Sequence, residues 1–397
     1  MNNNLLPAEP EELNNVQPGY FGSTPPTGQL PPKGERMWVD RPEQLRYAVS
    51  ILAQASVVAI DAEFMQVRSY VQGSAGSSVP RLSLLQLAVD HHCFVVDTLR
   101  LGDLSPLTEI VANPRIAILL HGAGADMRVM AERGLNVAHY YDLEATSRSI
   151  FGQHESSLAS MLARAFHMRL DKSLQRTDWT RRPLPPAMIA YAARDAEVTL
   201  ALYYWLQQHY PEILQLHEHT DAPVVVAAWI APFLQGPAPC SPDVAVADGL
   251  ARGVIADKAQ VDLDCRSALA TLHYPMYRSR LLRLIADLSL TKLVPDLVAL
   301  LQAPTSDERA GSVRALGRLG VKSARESVRP LLSDPVHDVR KAAQTALYNL
   351  SAKSSTRQAQ ALHNADGSRR WVSEPSGTAS DEQGGWKSRL RSIIDAS

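Results

Sequence analysis

The sequence predicts two fold classes in succession: a mixed α/β domain, then an all-α repeat domain. Two observations carry that reading. Between about Met37 and Tyr210, short apolar runs alternate with helical stretches, the pattern of strands and helices sharing one core. From about Asp264 to Leu350 a helical pattern recurs at a constant shift of about 31 residues. A third observation concerns chemistry. Four carboxylates and one tyrosine stand in a fixed order: Asp61 and Glu63 in VVAIDAEF, Asp126 in ILLHGAGADMRVM, Tyr191 and Asp195 in YAARDAEV.

The elements follow in order. Val57–Ile60 is a continuous apolar run, rich in β-branched residues, as a buried strand requires. Leu82–Val89 and Cys93–Val96 are two more strands, with Asp90, His91 and His92 short enough to close a hairpin. Ile116–Leu120 is a fourth strand. Gly124–Arg133 reads as a helix that Gly134 stops. PPAMIAYAARDAEVTLALYYWL is helical by propensity and period. In the second half, Leu300, Leu301, Pro304, Asp307, Arg309, Leu316 and Leu319 recur as Leu331, Leu332, Pro335, Asp338, Arg340, Leu347 and Leu350. One shift earlier stand Leu269, Arg278, Ile285 and Leu288, so three units of paired helices are expected. One unit cannot bury its apolar face alone, which is why about three are needed. The period and the Pro…Asp-x-Arg turn resemble short HEAT repeats.

The expected organisation is a disordered segment over 1–36, a catalytic α/β domain over 37–214, and a partly helical connector over 215–264. HEAT-like repeats follow over 265–351, then a disordered tail over 352–397 with a short amphipathic run near Trp386–Ile394. The 397 residues carry 45% apolar side chains, ordinary for a globular protein with room for two or three domains. A formal net charge of −1 neither supports nor excludes a nucleic-acid partner. Cys93, Cys240 and Cys265 form no CxxC pair, so neither a zinc site nor a disulfide framework is implied, and a reducing cytoplasm is expected. The first residues lack the basic start and apolar run of a signal peptide, and no stretch is apolar enough to span a bilayer.

On a strand, residues two apart share a face, so Asp61 and Glu63 are delivered together at a strand end. Like charges that close raise each other's pKa unless a cation neutralises them, and a divalent metal is the simplest such cation. On a helix, residues four apart share a face, which puts Tyr191 beside Asp195. Each segment alone is ordinary. Together they resemble the DEDD superfamily of 3′–5′ exonucleases, whose domain has a ribonuclease H-like fold. Tyr191 stands four before Asp195 and Ala190 five before it, which resembles the tyrosine subclass. KSLQRTDWTRRPL over 172–184 narrows the resemblance to ribonuclease D. So do Phe64, Arg68 and Tyr70, then Leu85 and Gln86, then His121, Gly122 and Ala123. The resemblance covers roughly residues 45–210. The stretch Val71–Pro80 departs from it, as a loop at the site's mouth or a slack hairpin. The HEAT-like units stand where ribonuclease D carries a different small helical module.

The resemblance implies two Mg²⁺ or Mn²⁺ ions, with Asp61, Glu63 and Asp195 as direct ligands, Asp126 on the second ion and Tyr191 positioning the attacking water. It implies a 3′–5′ exonuclease that releases nucleoside 5′-monophosphates from RNA, favoured over single-stranded DNA, in a role such as RNA 3′-end processing. Substrate contacts are expected among Phe64, Gln86, His121, Lys172, Gln175, Trp179 and Arg181, with Arg176 and Arg182 as further phosphate partners. Phe64 and Trp179 serve equally well as core residues, and His121 as a structural hydrogen-bonding group. The alternative function is a catalytically weak nucleic-acid-binding or adaptor protein. In that case the repeats act through Arg314, Arg318, Lys322, Arg325, Arg329 and Arg340, on nucleic acid or on a protein partner.

Overall fold

A computed structural model of the chain describes residues 27–28, 30, 34–68, 78–170, 174, 177–220, 224–236 and 240–351, with two short strands beyond them. The expectations for the N-terminal segment before residue 27, for 69–77 and for the run near Trp386–Ile394 lie outside the described residues. The two short strands, Ala361–His363 and Arg369–Trp371, pair antiparallel as a separate unit, so that part of the tail has regular structure where disorder was expected.

Seven strands form one sheet: β1 Glu35–Val39, β2 Val57–Arg68, β3 Ser78–Val89, β4 His92–Asp97, β5 Ala117–Leu120, β6 His139–Asp142 and β7 Glu218–Thr220. Their order is β1-β4-β3-β2-β5-β6-β7. The hairpin pair β3 runs antiparallel to β2 and β4, while β5 and β6 continue parallel to β2. Strand β2 alternates strictly. Val58, Ile60 and Ala62 enter one core with helices α1 (Pro42–Leu52) and α2 (Ala123–Ala131). Ala59 enters the other core, with α3 (Leu143–Phe151), α4 (Leu158–Phe166) and α5 (Pro186–His209). Both faces are covered, so a three-layer α/β/α domain results.

Two boundaries differ from expectation. Arg36, placed in the disordered segment, lies on β1 and grips Glu197 of α5 with two bonds of 2.6 and 2.7 Å. Strand β7, placed in the connector, completes the sheet by pairing with β6. A strand of three residues has too little pattern to be seen in sequence. The rest of the connector also has a home: Trp229, Ile230 and Leu234 pack into the core of the repeats, where Trp229 donates to Asp264 at 2.8 Å.

The repeats are three helix pairs: Lys258–Thr271 with Pro275–Asp287, Val294–Ala299 with Ser306–Leu319, and Arg325–Val328 with His337–Ser351. The recurring arginine is the stitch. Arg278 donates to the carbonyls of Leu269 and Leu272, Arg309 to those of Ala303 and Pro304, and Arg340 to those of Asp334 and Pro335. Each ties one helix start to carbonyls that the preceding turn leaves unpaired. Arg340 is therefore held by the backbone of its turn. Arg318 pairs with Asp287 and Arg329 with Glu326, while Arg314 lines a groove across the three long helices with Leu282, Gly311 and Ala346.

The recurring aspartates face the α/β domain. Asp307 accepts from Ser149 of α3 at 2.5 Å, and Asp338 accepts the backbone N–H of Gln153 at 2.8 Å. Ser306 donates to the Arg148 carbonyl at 3.0 Å. Buried His217 completes this seam, its Nε2 lying 2.9 Å from Ser149 Oγ.

Candidate active site

The site is built where β5 ends, at Leu120, and β2 runs on beside β3 to Arg68, so Asp61 and Glu63 lie within β2 rather than at its end as expected. Asp61 and Glu63 occupy the face of β2 that α5 covers; Ala62 between them points into the opposite core. A register shift between Glu63 and Phe64 breaks the β2–β3 ladder immediately after the pair. From α5, Tyr191 and Asp195 come up one turn apart on one face. Carboxylate oxygens of Asp61, Glu63 and Asp195 all lie within 4.8 Å of one another. Asp126 stands in the first turn of α2, near enough to raise the pKa of Glu63 but outside that tight group.

Electrostatics show what the cluster lacks. Burial, first, and its acidic neighbours, second, push Glu63 up to about 9 and Asp126 up to about 8. Asp195 rises to about 7 by burial and the charge of Asp61, and Asp61 to about 6 by burial. Among the described residues no cation eases Asp61, Glu63 or Asp126, while Arg194 lowers Asp195. Asp195 Oδ1 is buried with no hydrogen-bond partner among the described residues. Four acidic groups held together with only Arg194 to offset them among the described residues, one oxygen orphaned, fit a divalent cation with oxygen preference. Tyr191 donates its hydroxyl to Asp195, and burial with the nearby carboxylates raises its own pKa, so it stays a neutral donor.

Asp61, Tyr191 and Asp195 open onto a cleft of about 440 Å³ whose lining also includes His121, Gln153 and Ser156. Gly122 enters α2 in the left-handed region, φ +85°, and its N–H and that of Ala123 both donate to Asp142. His121 Nε2 meets the Ser156 carbonyl at 3.1 Å, so it braces the cleft wall while facing the cleft. Gln153 and Ser156 carried no signal in the sequence; they follow Gly152, whose φ of +89° turns the chain back toward the site.

Four expected substrate contacts are placed differently. Phe64 packs against the core on the far side of the sheet. Gln86 is fully buried and pairs with Asp61 in the ladder, so it shares that residue's face of the sheet, but it does not line the cleft and its amide has no hydrogen-bond partner among the described residues. Trp179 is buried in the core, its ring 6.1 Å from that of Tyr191, which it backs. Arg182 makes a paired bond of 2.6 and 2.7 Å to buried Asp97 and also holds the Ser83 carbonyl, so it serves the fold. The signal for that pair was Asp97 at the end of an apolar strand, a buried acid in need of a base. Arg181 is exposed on the segment before α5 and is not among the residues lining the cleft. Lys172, Gln175 and Arg176 lie outside the described residues.

The site is an acidic cluster on a sheet whose two faces are both covered by helices. Residues 37–210 match the family described as 3′–5′ exonuclease, and residues 267–372 match HEAT repeats. Among characterised relatives, ribonuclease D of Haemophilus influenzae is 30% identical over 160 residues, 40% of this chain and 38% of that protein. Protein RRP6-like 3 of Arabidopsis thaliana is 32% identical over 167 residues, 41% of this chain and 18% of that protein. The structure of Escherichia coli RNase D aligns at a TM-score of 0.39 with 21% identity, covering 80% of this chain and 74% of that one. The chain thus spans well under half the length of these curated relatives, within the exonuclease domain. Among the described residues, no helix is long and apolar enough to cross a membrane.

Proposed function

We propose that this chain is a metal-dependent exoribonuclease that removes nucleoside 5′-monophosphates from the 3′ end of RNA, in a role such as 3′-end processing. The observation that carries this is the carboxylate triad of Asp61, Glu63 and Asp195, whose ligand atoms lie mutually within 4.8 Å. Relatives named ribonuclease D and exosome complex exonuclease RRP6, each 30–31% identical over the matched region, favour RNA over DNA. Asp61, Glu63 and Asp195 would hold one Mg²⁺ or Mn²⁺, and Asp126 with Asp61 a second. Such ions supply Lewis-acid stabilisation of the phosphoryl oxygens and activate water near neutral pH.

The chain's own groups do the rest. Tyr191, fixed by its bond to Asp195 and backed by Trp179, turns its hydroxyl toward the cleft and orients the attacking water. Its raised pKa makes it a positioner rather than a base. The open cleft admits a single-stranded end, with His121 and Gln153 on one wall. The three cysteines are free, two of them buried, in keeping with a cytoplasmic setting.

The test is digestion of 5′-labelled RNA and DNA oligonucleotides with Mg²⁺, with Mn²⁺ and with EDTA. A metal-dependent ladder shortening from the 3′ end of RNA is expected. Folded protein that binds RNA and leaves it intact with either metal would overturn this reading in favour of an adaptor.

A further inference from the structure

We propose that His154, His337 and Asp338 form a second cation site, apart from the carboxylate cluster. It takes a zinc-type ion and clamps the exonuclease domain to the last repeat. His154 belongs to the turn Gln153–Glu155; His337 and Asp338 open the helix His337–Ser351. One donor atom from each lies within 4.8 Å of the other two. His154 Nε2 is 4.0 Å and His337 Nδ1 3.8 Å from the same oxygen, Asp338 Oδ1. The two rings meet edge to face, centroids 5.5 Å apart, so they converge rather than stack.

The carboxylate is already oriented for this. Its other oxygen, Oδ2, accepts the Gln153 N–H at 2.8 Å, which turns Oδ1 toward the imidazoles. Fixing a ligand through its second atom is how metal sites hold their geometry. Two imidazoles and one carboxylate suit Zn²⁺, whereas Mg²⁺ and Mn²⁺ favour the all-oxygen cluster. The two histidine side chains are 74% and 59% exposed, so an ion can reach them and water can complete its shell.

Two features oppose a cation here. The helix N-terminus carries partial positive charge, and Arg340 and Lys341 line the same small cleft as His337. Asp338 answers the first with a full negative charge, and Arg340 directs its guanidinium to the carbonyls of Asp334 and Pro335. The consequence reaches the active site, because Gln153, bonded to Asp338, lines the catalytic cleft. An ion at this seam holds that wall in place.

The experiment compares the full chain with its His154→Asn/His337→Asn double variant, both freed of metal and then kept in excess Mg²⁺. Zn²⁺ is titrated by calorimetry and the thermal midpoint is followed. The wild type is expected to bind one more Zn²⁺ per chain than the variant and to gain a higher midpoint from it. Equal stoichiometry in the two proteins would overturn the proposal. Should the double variant melt early without zinc, His154→Asn alone serves: zinc affinity about tenfold weaker or worse, which is about 1.4 kcal/mol, is expected, and unchanged affinity overturns. Neither readout depends on RNA cleavage, so its outcome is separate from that of the exonuclease reading.

Discussion

Two buried charged regions of this molecule are treated in opposite ways. In the repeats, Arg309 and Asp334 are only 3% and 4% exposed and meet through two bonds of 2.8 and 3.1 Å. Arg309 also serves two backbone carbonyls, and Asp334 accepts the Val336 N–H, so every charge has its complement. In the α/β domain, Asp61, Glu63 and Asp195 crowd together, and among the described residues no side-chain cation pairs with Asp61 or Glu63. A structural charge is neutralised by the chain itself. A functional charge is left for something the chain does not encode. Burial alone does not tell the two apart; the identity of the partner does.

Substitutions at the two regions should therefore move stability in opposite directions. Arg309→Met leaves Asp334 buried and unpaired, and breaking such a pair costs about 3–5 kcal/mol. A chemical-denaturation midpoint within error of the wild type would break the comparison. Asp61→Asn should lower RNA cleavage by about 10²–10³-fold, the scale of one lost charge contact in a transition state. The same change should raise the thermal midpoint of the metal-free protein, because it relieves repulsion. A variant that lost activity and also lost stability without metal would mean the cluster is not strained.

Tyr191→Phe sharpens the same contrast at one hydrogen bond. Removing a bond to a charged group is worth about 1.5–3 kcal/mol. Cleavage should fall by about 10- to 100-fold in kcat, with KM little changed, if Tyr191 orients water rather than binding RNA. A rise in KM alone would reassign it to substrate binding.

His217 gives the smallest effect and a pH test of the seam between the domains. Burial lowers it from its ordinary value to about 4, so the folded state holds it neutral. Its unfolded value is near 6.5. The folded state then binds fewer protons between those values, so stability is fully present above pH 6.5 and is lost as pH falls toward 4. Relative to His217→Gln, the wild type should lose about 1–2 kcal/mol between pH 7 and pH 5. Parallel pH profiles for the two would show that His217 is solvated.

Much of the site was legible because its parts are local. The two-residue spacing of Asp61 and Glu63 and the four-residue spacing of Tyr191 and Asp195 are strand and helix periods, and the structure places each pair on one face as those periods require. Substrate contacts were less legible. Gln86 and Arg182 stand in suggestive stretches, yet one is buried beside Asp61 and the other is bound to Asp97. Nothing in a sequence says which way a polar side chain turns once two strands and a helix close around it.

The sequence by itself determined the four central strands, the helices that carry Asp126, Tyr191 and Asp195, the 31-residue repeat with its recurring arginines, and the acidic pairs that the fold then gathers. Only tertiary structure decided that β7 completes the sheet, that Gln153 walls the cleft, and that the repeat aspartates Asp307 and Asp338 grip the exonuclease domain. The physical reason is range. Periodicity records which face of its own element a residue occupies, whereas these contacts join residues some 80 to 185 positions apart. Such contacts depend on how whole elements pack, and no local pattern specifies them.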